Sequence, residues 1–222
     1  PDLRQRSREP ELLDAGVSEE ETALNLADLR LVNRLLGGRS HLLAAVQPHL
    51  RDGGRLLDVG CASGDVPAFL LEHLETPPLA VGLDVKHAHL REVPEPVRAV
   101  VAHTDALPFP DRAFDVVTAS LFLHHFEDEG LVRVLRELYR LAARAVVVSD
   151  LRRAMVPHIF GQATFPLLFK SPVSVHDGLV SIRRGFRSDE LRRAFEEAGL
   201  RNVRIQPHFP YRLLAVATRG AS

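Results

Sequence analysis

The stretch Arg55-Leu56-Leu57-Asp58-Val59-Gly60-Cys61-Ala62-Ser63-Gly64-Asp65 constrains the chain more than any other. Leu56, Leu57 and Val59 form a short apolar run suited to a buried strand, and the run stops at Gly60. Small residues follow as far as Asp65, a residue type that caps helices. Pro67, just inside the expected helix, has no N–H that would need a partner there. Strand, tight turn and helix start together open a nucleotide-binding α/β unit. Glycine at 60 and 64 lets the main chain come close to a ligand, because no Cβ stands in the way. An ordinary βα turn is the plainer reading, and the rest of the chain weighs against it.

Apolar strands alternate with amphipathic helices on either side of this turn. Leu24, Leu26, Leu29, Val32, Leu35 and Leu36 lie at helical spacing from Glu21 and stop at Gly37-Gly38; Ser40 then caps a second helix ending near Pro48. Strands are expected at 79–84, 97–102, 114–120 and 145–148, with a helix carrying Leu131, Val134, Leu135 and Leu138 before the last. Residues 151–187 hold Pro157, Pro166, Pro172 and three phenylalanines (Phe160, Phe165, Phe169) with no clean period, and read as a loop-rich insertion. Ser188 then caps a helix to Ala198, and 203–206 with 211–218 reads as a closing β-pair. The pattern predicts an α/β fold: a Rossmann-like, doubly wound, mostly parallel sheet with an antiparallel pair at its C-terminal end and a helical N-terminal cap. Residues 1–50 make the arm and cap, and 51–222 the main domain, with a lid or substrate insertion at 151–187.

Composition narrows the partners. With 28 basic and 29 acidic side chains the formal net charge of the 222 residues is -1, so no long-range pull draws nucleic acid. The single cysteine, Cys61, excludes an internal disulfide and suits a reducing cytoplasm. No apolar run is long enough to span a bilayer. The sequence leaves a homodimer open.

Asp84 ends the strand after the glycine turn, where a carboxylate can accept from both hydroxyls of a ribose or simply cap a turn. A dinucleotide turn wants G-x-G-x-x-G, but this chain has Ala62 and Asp65 at the second and third positions. A pyrophosphate would meet Asp58 and Asp65, and there is no G-K-[ST] phosphate loop. A cationic, phosphate-free nucleoside suits so acidic a turn, and S-adenosylmethionine is one.

Residues 55–150 resemble the class I S-adenosylmethionine-dependent methyltransferases, in the small-molecule branch with the ubiquinone and menaquinone enzymes. The resemblance rests on Leu56 to Gly64, on Gly82-Leu83-Asp84, on Asp105-Ala106-Leu107-Pro108-Phe109, and on Phe114 to Val117 followed by Leu123-His124-His125-Phe126, all in family order. It implies S-adenosylmethionine as cofactor. Asp58, Gly60, Ala62 and Gly64 would then surround its methionine part, with Asp58 near the ammonium. Asp84 and Val85 would meet the ribose, Asp105 and Ala106 the adenine, and Ser120 and Leu121 the route to the methyl. The Pro-Gly-Gly turn usual before the fifth strand is replaced by Leu141-Ala142-Ala143-Arg144, and the terminal motifs of the quinone enzymes are absent.

The function expected is methyl transfer to a small, aromatic or polyketide-like acceptor, on oxygen or carbon. The alternatives are an RNA or protein methyltransferase and a catalytically silent cofactor-binding subunit. His124 and His125 lie where open α/β sheets place ligands; either can take an acceptor's proton, or both can simply pack. His158, His176 and His208 show no metal-ligand spacing, so no metal site is expected. Arg183-Arg184 reads equally as a clamp for a substrate carboxylate and as a solvated pair. Asp150, at the end of the fifth strand, reads as ordering a base or, more simply, as capping the helix behind it.

Overall fold

The computed structural model describes residues 2–35 and 38–220. Seven strands form one sheet in the order β3-β2-β1-β4-β5-β7-β6. They are β1 (Arg55–Val59), β2 (Leu79–Asp84), β3 (Arg98–Val101), β4 (Phe114–Ser120), β5 (Ala142–Leu151), β6 (Val203–His208) and β7 (Arg212–Thr218). The first five run parallel, and β7 pairs antiparallel with both β5 and β6. The expected sheet, with its antiparallel pair at the C-terminal end, is the one found. The strand order reverses between β1 and β4, and this is the point where such sheets open a crevice at their carboxyl edge.

Helices α1 (Glu19–Leu35), α2 (Gly38–Val46), α3 (Asp65–His73), α4 (His87–Leu90), α5 (Asp128–Leu141), α6 (Met155–Leu168), α7 (Pro172–Arg184) and α8 (Ser188–Glu197) complete the chain. On one face of the sheet, Leu131, Val134, Leu135 and Leu138 of α5 join Leu191 and Phe195 of α8 over Leu57, Val117 and Val146. On the other, Leu42 and Val46 of α2 and Val66 and Leu70 of α3 cover Leu56, Val116 and Val147. A third cluster of Val32, Leu151, Phe165, Ile182 and Tyr211 sits beside the carboxyl ends of the strands. Among the described residues no helix is long and apolar enough to cross a membrane.

Five local expectations are corrected. Residues 151–187 are helical rather than loop-rich, because Pro157 falls in the first turn of α6 and Pro172 is the first residue of α7, where a missing N–H costs little. Pro166 lies near the end of α6, which stops two residues later. Asp65 does not cap α3: Gly64 occupies that place in a left-handed conformation, and Asp65 opens the helix. Ser188 likewise opens α8 rather than capping it; Arg187 is the cap, with Glu190 reaching back to its amide at 2.9 Å. The fifth strand is longer than 145–148, so Asp150 belongs to it. The expected helix end at Leu36 and Gly37 lies outside the described residues; Gly38 already belongs to α2, so Ser40 lies inside that helix rather than capping it.

Candidate active site

The glycine turn is built by backbone strain and close approach. Gly60, Ala62 and Gly64 all have positive φ (70°, 48° and 72°), and the amides of Gly60 and Cys61 both donate to the Leu83 carbonyl. A Cβ at Gly60 would overlap the ring of Phe122. Asp84 is tied to the same turn: its carboxylate accepts from the Ala62 amide at 3.0 Å and the Lys86 amide at 2.8 Å. Burial opposes its ionisation, but His89 and these two amides outweigh it and hold Asp84 below the ordinary carboxylate range. Asp58 is treated differently. Its carboxylate is 1% exposed and receives the Thr118 hydroxyl at 2.7 Å. Burial pushes it up to about 7 against the pull of Thr118, and repulsion from Asp65 and Asp84 adds to the rise. Burial also raises Asp65, although Asn33 donates to both of its oxygens.

The second part of the site follows β4. Leu121 takes a positive φ (51°), and the chain then turns so that three successive amides, those of Phe122, Leu123 and His124, point at Asp150. Asp150 also accepts from the Leu151 amide and, at 2.7 Å, from Nδ1 of His124. It is therefore an anchor for this turn, not a helix cap. Burial works against the Asp150 charge, yet His124 and the amide hold its pKa low; Asp150 in turn favours the charged form of His124, with Glu11 assisting.

Glu11 arrives from the N-terminal arm, which is docked rather than loose. The Arg6 guanidinium donates to the carbonyls of His124, Phe126 and Arg184. Asp177 of α7 accepts from the amides of Leu12 and Leu13. Glu11 is buried and accepts from the Ser181 hydroxyl. Burial alone would raise its pKa, but the two histidines and Ser181 bring it down to about 2.

These parts enclose one cavity of about 300 Å³. Gly60, Ala62, Asp84, Val85 and Leu121 line it together with His124, His125 and Glu11, and Val32, Phe165, Phe169 and Tyr211 supply apolar wall. Asp58 lies within the sheet behind the turn, while Gly64, Asp105, Ala106 and Ser120 are not part of the lining. The Asp105 side chain is exposed and 3.3 Å from His103. His158, His176 and His208 stand outside the lining too. Phe160 contacts Tyr211 and Phe209 instead of the cavity. Arg183 and Arg184 do not face the cavity either: Arg183 pairs with Glu9, and Arg184 donates to the carbonyls of Glu9, His124 and His125. The clamp reading fails because main-chain oxygens already occupy Arg184. Sequence reasoning missed Glu11 and Asp14. The one available signal was an apolar pair between two carboxylates, Glu11-Leu12-Leu13-Asp14, inside an otherwise charged arm.

A turn without room for a Cβ at Gly60, with Asp84 at the cavity and Asp58 and Asp65 close by, suits a cationic nucleoside better than a pyrophosphate. Comparison with known proteins agrees. Residues 56–145 match a family model described as a methyltransferase domain. A 27-O-demethylrifamycin SV methyltransferase of Amycolatopsis mediterranei is 35% identical over 147 residues, which is 60% of this chain and 50% of that protein. A demethylmenaquinone methyltransferase of Anoxybacillus flavithermus is 28% identical over 72% of this chain and 75% of its own length. The chain thus spans half of the first relative and three quarters of the second. Among solved structures, a SAM-dependent methyltransferase of Aquifex aeolicus shares the fold with a TM-score of 0.66 at 17% identity, covering 91% of this chain and 99% of that one. Human N-acetylserotonin methyltransferase in complex with SAM gives 0.70 at 15% identity, covering 92% and 57%. The glycine turn, the strand-end Asp84 and most of the parallel sheet fall inside the matched region, so residues 56–145 form a methyltransferase domain similar to those of the S-adenosylmethionine-dependent enzymes.

Proposed function

We propose that the chain methylates a hydroxyl group of a small, largely apolar aromatic acceptor. One observation carries this reading: a single cavity joins the glycine turn to the cluster of His124, His125 and Glu11, with Phe165, Phe169 and Tyr211 in its wall. Relatives named for demethylrifamycin and demethylmenaquinone support a small-molecule acceptor. When bound, the cofactor supplies an electrophilic methyl on a sulfonium, whose carbon–sulfur electron pair stays on sulfur as the methyl leaves.

The chain's own residues do the rest. Asp84, held ionised by two amides, accepts from the ribose hydroxyls, with Val85 beside it. Gly60, Ala62 and Gly64 let the main chain run along the methionine part, and Asp58 offsets its ammonium. Asp105 and Ala106 meet the adenine. Ser120 and Leu121 lead from the turn to the acceptor. His124 and His125, backed by Glu11, orient the acceptor hydroxyl and weaken its hold on its proton. α1, α7 and the arm cover this end and keep water from the methyl, and much of the rate comes from holding oxygen and methyl in line.

Calorimetry with S-adenosylhomocysteine and NAD, followed by mass spectrometry of a panel of phenols incubated with S-adenosylmethionine, tests the proposal. The expected result is binding of S-adenosylhomocysteine alone and the mass gain of one methyl on a phenol. Tighter binding of NAD, or methylation confined to RNA or protein, would overturn it.

A further inference from the structure

The cluster at the histidine end has the spacing of a metal centre. Glu11, His124 and His125 each present a ligating atom within 4.8 Å of the others. Glu11 Oε1 is 3.5 Å from His124 Nε2, Glu11 Oε2 is 3.9 Å from His125 Nδ1, and Asp14 Oδ2 is 3.6 Å from the same nitrogen. Direct N–H···O hydrogen bonds are shorter, about 2.7–3.2 Å. Two ligands bonded at about 2.0–2.2 Å to one tetrahedral cation stand about 3.4 Å apart, near the separations seen here.

The supporting contacts point the same way. Nδ1 of His124 is held by Asp150 at 2.7 Å, which leaves Nε2 turned to Glu11. A carboxylate behind the imidazole is the usual arrangement for a ligating histidine. The Ser181 hydroxyl donates to Glu11 Oε1 and helps to fix it. Of the neighbouring cations, Lys86 reaches Asp14 at 3.5 Å, and Arg6 and Arg184 are engaged with main-chain carbonyls.

We propose that Glu11, His124 and His125 bind a divalent cation of the zinc class, the fourth position being left open towards the cavity. Two imidazoles and one carboxylate suit zinc or cobalt, whereas magnesium prefers oxygen ligands alone. The role of this cation rests on the reading of the cavity as an acceptor site. A cation held there would acidify an acceptor hydroxyl placed at its open position; the proton would leave past the partly exposed Asp14 to solvent, and the oxygen pair would form the bond to the methyl carbon. The carbon–sulfur pair remains on sulfur, so no oxidant or reductant is needed.

The test uses the full chain stripped of metal with a chelator. Zinc titrated by calorimetry is expected to bind one ion per chain, cobalt(II) to give visible bands of a four-coordinate site, and magnesium not to compete. Glu11→Gln and His125→Gln should each weaken zinc binding by about a hundredfold or more. His73→Gln, on the exposed side of α3, should leave it unchanged. His125 is partly exposed, so its variant is expected to fold even if that of Glu11 does not. S-adenosylhomocysteine affinity is measured on every sample. No saturable zinc binding, or equal binding in wild type and both variants, would mean that the cluster is a set of ion pairs only, and would overturn the inference. If S-adenosylhomocysteine still binds in that case, the methyltransferase reading stands without the metal. If zinc binds and S-adenosylhomocysteine does not, that reading falls and the metal site survives.

Discussion

Asp58 and Asp150 invite comparison, because both are carboxylates buried in the parallel part of the sheet, on β1 and β5, at 1% and 0% exposure. Their surroundings give opposite results. Asp150 collects four amides and an imidazole, and its pKa falls. Asp58 has one hydroxyl and two acidic neighbours, and its pKa rises to about 7. Burial is common to both, so it is the partners that set the charge: an imidazole and amides favour it at Asp150, and acidic neighbours oppose it at Asp58. The histidine region is completed by the chain itself at Asp150, whereas the glycine turn keeps a carboxylate in reserve for a positive ligand.

The largest effect should come from breaking the completed side. Asp150→Ala strands four amides and the His124 imidazole, and is expected to cost about 3–5 kcal/mol in denaturant unfolding. Asp58→Ala should cost far less; equal losses would remove the distinction. Next comes Gly60→Ala. It combines a positive φ with overlap on Phe122, and should lower stability by about 2 kcal/mol and abolish S-adenosylhomocysteine binding in a folded protein. Normal binding would mean that the ring yields freely and the turn is not a cradle.

Asp84→Asn keeps the shape but removes a charged acceptor for two hydroxyls, a loss of about 1.5–3 kcal/mol. S-adenosylhomocysteine affinity should fall about tenfold or more, and the melting temperature should drop as well, because one of the Ala62 and Lys86 amides loses its acceptor. Unchanged affinity would reduce Asp84 to a support for the turn. The smallest effect is on pH. The Asp58 pKa is raised, so the ligand-free protein holds this proton up to about pH 7, and a ligand ammonium must displace it. Affinity should therefore strengthen by about severalfold from about pH 6 to about pH 8 and level off above. Asp58→Asn should flatten that profile. A profile that weakens over this range would place the ammonium elsewhere.

The two regions also differ in how much of them could be read from the sequence. Gly60, Ala62, Gly64 and Asp84 belong to consecutive strand ends, and their pattern is local, so the turn and its carboxylate were legible. His124 and His125 were legible as candidates, but not their partners. Glu11 lies far away in the chain and joins them only because Asp177 grips the amides of Leu12 and Leu13. The helices α6 and α7 were hidden for a different reason. Their prolines mimic a loop, and α6 mixes buried Phe165 and His158 with exposed Met155, Ile159 and Leu167, which blurs the helical period. Arg184 misled because its charge suggested a ligand, when its work is to bind main-chain oxygens.

That last habit recurs throughout the cover. Asp28 accepts from the amides of Lys170 and Ser171, and Asp177 from those of Leu12 and Leu13. Arg6, Arg153 and Arg184 donate to the carbonyls of residues 3, 9, 124–126, 184 and 185. Each of these links reads the backbone, and nearly every residue type offers the same backbone. Side chains at the gripped positions are thus free to be exchanged in evolution or in the laboratory while the frame holds its shape. A cover built this way tolerates point substitution along its length while the glycine turn beneath it keeps its shape.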